Sequence, residues 1–228
     1  MENIIIYKDE KVYSAFPSIT KLNNGDLIIG FRRAPQRKPY SAHIDSESKA
    51  VIVRSKNNGK TWSNVEIIYE EGGDVGIGTP FITQLRDGTL IANFFNWQVI
   101  KDNPFNHYVK GTYIIRSFDN GKTWEKEPIK IEVPNSNYDI IATSEPILEL
   151  QNGEILIPLY GRGYKNPNDV SFLMRSKDKG KNWTGPSVIA QDPFYNLNFE
   201  EPSICLLPSG KILCMMREPN GYLYQSES

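Results

Sequence analysis

Several side chains able to do chemistry stand beside short apolar, β-rich runs in this sequence. They are Arg32, Arg33, His43 and Asp45, then Trp97 and His107, then Glu145, Tyr160 and Arg162, and finally Glu200, Glu201 and Arg217. Carboxylates supply acid and base groups, guanidiniums grip an anionic oxygen in a planar fork, and aromatic rings cover the apolar face of a sugar. The set fits a carbohydrate site. It does not fit zinc, because neither His43 nor His107 has further ligands at a suitable spacing, so no metal and no cofactor is expected. His43, within Ser41-Ala42-His43-Ile44-Asp45, is placed either to hydrogen-bond sugar hydroxyls and assist Asp45 or to serve the loop itself. Each of the others also has a plainer reading: Asp45 as a turn cap, Glu201 and Arg217 as strand-end surface charges, Tyr160 as a core ring.

The elements that position these groups are written as a repeat. Arg54-Ser55-Lys56-Asn57-Asn58-Gly59-Lys60-Thr61-Trp62 returns as Arg116-Ser117-Phe118-Asp119-Asn120-Gly121-Lys122-Thr123-Trp124 and as Arg175-Ser176-Lys177-Asp178-Lys179-Gly180-Lys181-Asn182-Trp183. Its tryptophans stand 62 and 59 residues apart, a near-constant period that signals repeated supersecondary units. The short Asn or Asp side chain and the Ser hydroxyl can bond backbone N–H groups of a tight turn, Gly allows its positive φ, and Trp covers it. A second repeat precedes each copy: two apolar runs about a Gly-containing turn, starting at Pro17, Pro80, Pro146 and Pro202. Two hairpins per period make a four-stranded antiparallel unit. The fold class expected is therefore all-β, a propeller with almost no helix, its blades spanning roughly 12–70, 79–133 and 142–190 with a fourth from about 199.

Ser-x-Asp-x-Gly-x-x-Trp is the Asp box, and in carrying it three times the whole chain resembles the sialidase (neuraminidase) superfamily of BNR-repeat β-propellers. The first copy departs from the pattern in having Asn57, which keeps the acceptor oxygen. The resemblance implies six blades, of which about three and a half are present, so the sequence looks truncated at its C-terminus. It implies that the boxes are structural turns away from the substrate face. It also implies an exo-acting glycoside hydrolase for terminal sialic acid or a related acidic sugar. Asp45, shortly before the run Lys49–Arg54, resembles the family's general acid/base. Glu201 resembles the acid that polarises a Tyr nucleophile, Arg217 the arginine that grips the substrate carboxylate, and Tyr160 a substrate-facing aromatic. The family opens with an Arg two residues before the first inner-strand Pro, whereas this chain has Ala15. Either Arg32 or Arg33 takes its place, or the substrate is another uronic or neutral glycan; a non-catalytic carbohydrate-binding propeller is the alternative outside enzymes. The third Arg and the Tyr nucleophile would fall beyond Ser228.

The composition agrees with a globular chain: 228 residues, 39% hydrophobic and 11% aromatic, with 17 Gly and 15 Pro. A formal net charge of −1 with scattered basic residues gives no electrostatic footprint for nucleic acid or an anionic membrane. A glycan or glycoconjugate is the partner expected; oligomeric state is not legible. No apolar run approaches the ~20 residues of a membrane span, and Met1–Lys8 does not read as a signal peptide. The chain as given reads as cytoplasmic, or as secreted or periplasmic if a targeting segment was removed. Cys205 and Cys214 read as reduced strand residues.

Overall fold

The computed structural model describes residues 3–37, 44–100, 103–134, 138, 140–163 and 166–228. Among these described residues every element is a β-strand, and the strands form four antiparallel sheets arranged as propeller blades. The first sheet runs β1 (Val12–Lys21), β2 (Leu27–Pro35), β3 (Lys49–Ser55), β4 (Glu66–Tyr69). In the second, β5 (Val75–Ile77) and β6 (Phe81–Gln84) both pair with β7 (Leu90–Ile100), followed by β8 (Asn103–Ser117) and β9 (Ile129–Lys130). The third repeats that plan: β10 (Ile140–Ala142) and β11 (Leu148–Glu149) pair with β12 (Ile155–Gly163), then β13 (Asn166–Ser176) and β14 (Thr184–Ala190). The fourth holds β15 (Glu200–Leu206), β16 (Ile212–Glu218) and β17 (Tyr222–Glu227). The second and third sheets begin a few residues earlier than the repeat alone suggests. Their first strands are interrupted around Pro80 and Pro146, which have no N–H to give a ladder.

Both faces of an inner blade are covered, which is why its strands read as continuous apolar runs. In β7, Leu90, Ala92 and Phe94 pack with Ile28, Ile52 and Ala50 of the first sheet. Ile91, on the other face, packs with Ile155, Ile157 and Phe172 of the third. The strand period of two thus distributes one apolar sequence between two cores. A smaller core of Phe199, Cys214 and Met216 joins the fourth sheet to Ile189 and Ala190 of the third.

The two kinds of turn close in the same way each time. Leu22, Leu85, Leu150 and Leu207 each donate N–H to the carbonyl four residues on, at 2.8 Å. In the Ser-x-Asp turns, Ser117 Oγ accepts the Gly121 N–H at 2.9 Å, and Asp119 Oδ1 accepts those of Lys122 at 3.0 Å and Thr123 at 2.9 Å. Asn57 does the same work with an amide oxygen, accepting the Thr61 N–H at 2.9 Å. Cys205 is exposed and Cys214 buried, and both are free thiols.

Candidate functional site

Strand register shows which side chains converge. Ile28, Ile91 and Leu156 lie opposite the repeated Arg54, Arg116 and Arg175. Leu213 takes the corresponding place in the fourth sheet, since Cys205 pairs with it as Thr20 pairs with Ile28. Four residues further along each of these second strands stand Arg32, Phe95, Tyr160 and Arg217. All four line one cavity of about 670 Å³, so one position per blade faces a common space. The cavity wall also includes Phe16, Trp97, Glu145, Glu201 and Ser203.

Two β-bulges shape opposite sides of it. Phe16 and Glu201, each followed by Pro, have φ of 57° and 51°, in the left-handed region that non-glycine residues avoid. The register shifts there, between Ala15 and Ser18 and between Glu200 and Ser203. A regular strand would send consecutive side chains to opposite faces, whereas a bulge re-aims one of them. In the fourth sheet the result is that Arg217 holds both neighbours: its Nε donates to Glu201 Oε2 at 2.8 Å and its Nη2 to Glu200 Oε2. The hydrogen bond to Glu201 and the burial that opposes it leave the guanidinium above its ordinary pKa. In the first sheet, Ala15 lies opposite Arg32, whose guanidinium sits 5.4 Å from the Tyr13 ring centre and 5.5 Å from that of Phe16. Arg32 is 2% exposed; burial lowers its pKa, opposed by attraction from Tyr13 and Asp45. An Arg so placed still carries its charge at neutral pH.

The remaining polar wall is desolvated. Burial raises the carboxyl pKa of Glu145; a hydrogen bond with Ser203 opposes this and repulsion from Glu201 adds to it. Burial, and then the charge of Glu201, push the Tyr160 phenol up to about 12, while Ser144 hydrogen-bonds it. A phenol so held is the reverse of an activated nucleophile.

The other expected residues lie elsewhere. Asp45 is 4% exposed and outside the cavity wall: its Oδ2 accepts from Arg37 Nε, and its Oδ1 accepts the Glu47 N–H at 2.9 Å. Gly76 passes against the Asp45 backbone so closely that a Cβ there would lie 2.0 Å from the carbonyl oxygen. Arg33 faces away from Arg32, as strand alternation requires, and donates from Nε to the Tyr7 hydroxyl at 3.0 Å. Arg162 lies outside the wall, with Nε 3.7 Å from Asp169. His107 stacks edge-on against Trp97 with ring centres 5.0 Å apart. His43 lies outside the described residues. Sequence reasoning missed Phe16, Phe95 and Ser203, although the spacing of four residues from the position opposite the repeated Arg leads directly to Phe95. Among the described residues no group of three or more His, Cys, Asp or Glu could hold a metal ion.

Residues 40–228 match the BNR repeat-like domain, which is most of the chain. The chain belongs to that family. This BNR repeat-like domain is 23% identical over 235 residues to a sialidase of Bacteroides fragilis, across 93% of the chain and 41% of that protein. It spans about two-fifths of the length of the curated relatives it matches. Among solved structures, a Dyadobacter fermentans protein of unknown function is 30% identical, with 99% of this chain and 68% of that one covered and a TM-score of 0.86. The microbial sialidase Hz136 is 18% identical over 94% of this chain and 44% of its own, with a TM-score of 0.75. A Penicillium chrysogenum α-L-arabinanase bound to arabinobiose is 19% identical, covering 94% of this chain and 62% of its own, TM-score 0.68. At under 25% identity the last two show the propeller fold of the BNR repeat-like domain.

Proposed function

We propose that this chain forms the site of an exo-acting glycoside hydrolase, with Glu145 as proton donor and Glu201 as the second catalytic carboxylate. The observation that carries the reading is that one cavity brings together a desolvated acid, Glu145, and an acid beside a cation, Glu201 with Arg217. Two carboxyl groups whose surroundings differ in this way divide the acid and base roles of glycoside cleavage. Phe95, Trp97 and Tyr160 offer ring faces to the sugar. Relatives named as sialidase and arabinanase are consistent with a glycan substrate.

An acidic sugar, sialic acid or a related one, is the first reading of the substrate, with Arg32 rather than Arg217 as the group that receives its carboxylate. Arg217 already spans two glutamates, and Arg32 stands where the backbone opposes Ala15. A neutral sugar is the second reading, because the cavity then needs only one guanidinium to bond hydroxyl oxygens. Asp45 is an alternative proton donor only if Arg37 releases it. The test is turnover of aryl sialosides, uronosides and arabinosides by the wild type and by Glu145→Gln, Glu201→Gln and Asp45→Asn. The reading expects losses of about 10²–10⁴-fold for the two Glu variants. Loss in Asp45→Asn alone would move the acid to Asp45, and saturable binding without product would favour a binding propeller.

A further inference from the structure

The main chain that delivers Glu145 to the cavity is outside any ladder, since β10 ends at Ala142 and β11 begins at Leu148. A buried carbonyl there has no strand partner and needs another donor. That donor comes from the neighbouring sheet. Asn93 of β7, fully buried and outside the cavity wall, donates from Nδ2 to the Glu145 carbonyl at 2.8 Å and to Thr143 Oγ1 at 3.2 Å. Thr143, also fully buried, has its hydroxyl 3.3 Å from the carbonyls of both Glu145 and Pro158, so it ties the same point to β12. The first and second sheets meet differently. Gly30 stands on β2 where Asn93 stands on β7, two residues beyond Ile28 and Ile91, and a Cβ on Gly30 would lie 3.1 Å from the Pro80 carbonyl oxygen. The residue before Pro80 is Thr79; the one before Pro146 is Glu145. The amide thus occurs at the junction that carries an acid and not at the one that carries a hydroxyl. It is a costly filler of the space, because its Oδ1 is buried and accepts from no described group. An apolar side chain would leave no acceptor unpaired.

We propose that Asn93 is a positioning residue, which reaches across from the second sheet to hold the backbone at Glu145 and so aims that carboxyl into the cavity. Glu145 is followed by Pro146, which biases its backbone toward extended conformations. With its carbonyl also fixed from two sides, the direction in which the side chain leaves the main chain is set. Without the Asn93 donor, the segment 143–146 loses its tie to β7 and Glu145 gains room to turn toward water. The catalytic consequence rests on the proton-donor role proposed above for Glu145; the hold on its main chain does not.

The test compares the intact chain as wild type, Asn93→Leu, Glu145→Gln and the double variant. It measures turnover of aryl glycosides and a side-chain carboxyl ¹³C NMR titration of Glu145, whose titratable neighbour is Glu201. Asn93→Leu should lower kcat on the order of 10- to 100-fold, the effect of a misplaced catalytic group, with KM changed by less than about threefold. In the Glu145→Gln background the same substitution should cost no further activity. Burial holds the Glu145 carboxyl above the ordinary glutamate value, so in Asn93→Leu its midpoint should move down toward that value, and the alkaline limb of kcat with it. A loss that persists undiminished in the Glu145→Gln background would overturn the proposal as a merely structural effect, and so would an unmoved Glu145 midpoint. If Asn93→Leu does not fold, Thr143→Val and Thr143→Ser decide. Serine keeps the bridging hydroxyl and should recover most of what valine loses; equal losses would overturn the proposal. If the midpoint moves but the wild type hydrolyses no glycoside, or Glu145→Gln matches it in turnover, the positioning stands and the proton-donor reading fails. If Glu145→Gln loses turnover while Asn93→Leu keeps that of the wild type, the positioning role alone fails.

Discussion

Glu201 combines a strained backbone with a charged side chain, and the two are separable by substitution. At φ of 51° an alanine is disfavoured by about 1 kcal/mol relative to glycine. Glu201→Gly should therefore unfold at higher temperature than Glu201→Ala, by roughly 2–4 °C in a chain of this length, while both lose hydrolysis. Equal melting points would show that the bulge relaxes once the carboxylate is gone. Glu145 makes a prediction about pH. A proton donor must be protonated, and burial raises this carboxyl above the ordinary glutamate value. Activity should hold above the ordinary carboxylate range and fall as pH rises through the raised value. Its linkage to stability has the same sign: a folded pKa above the unfolded one contributes stability at low pH that is lost as pH rises through the folded value. Glu145→Gln should flatten that part of a stability profile measured by urea unfolding.

At the scale of elements, the Ser-x-Asp turns join neighbouring blades. Arg54 of the first sheet donates from Nη2 to the Asn120 carbonyl in the second turn at 2.6 Å. In the third turn, Gly180 has φ of 80°, and a Cβ there would lie 2.3 Å from Ile114 Cδ1 of the second sheet. Gly180→Ala should cost about 2 kcal/mol or more through backbone strain and displacement of Ile114, lowering Tm by roughly 4–8 °C. An unchanged melting temperature would mean that the turn is free to move away from β8. These turns made the fold legible in the sequence, because their spelling is local: Ser, Asn or Asp, Gly and Trp act within nine residues. The site was less legible. That Arg32 faces the cavity and Arg33 does not depends on the register of β1 against β2 and on the bulge at Phe16, neither of which spacing records. Asp45 could be matched by its distance from β3, yet its ion pair with Arg37 depends on how the chain folds back.

For the whole molecule, the cavity is a product of how the sheets lean on one another. Its wall takes residues from all four sheets, and those sheets meet through separate apolar cores. Ile91 is fully buried between the second and third sheets and does not line the cavity. Ile91→Ala should cost about 2–5 kcal/mol and, in the protein that remains folded, raise KM by loosening the angle between two walls. A large stability loss with KM unchanged would show that each sheet holds its own part of the wall. The shared position occupied by Arg32, Phe95, Tyr160 and Arg217 has a further consequence. A single address per blade, four residues beyond the one opposite the repeated arginine, presents a cation, a ring, a phenol and a cation in turn. Turn chemistry and sheet packing are written at other addresses. Changing what the cavity accepts is thus a combinatorial problem at four codons, with the scaffold left as it stands.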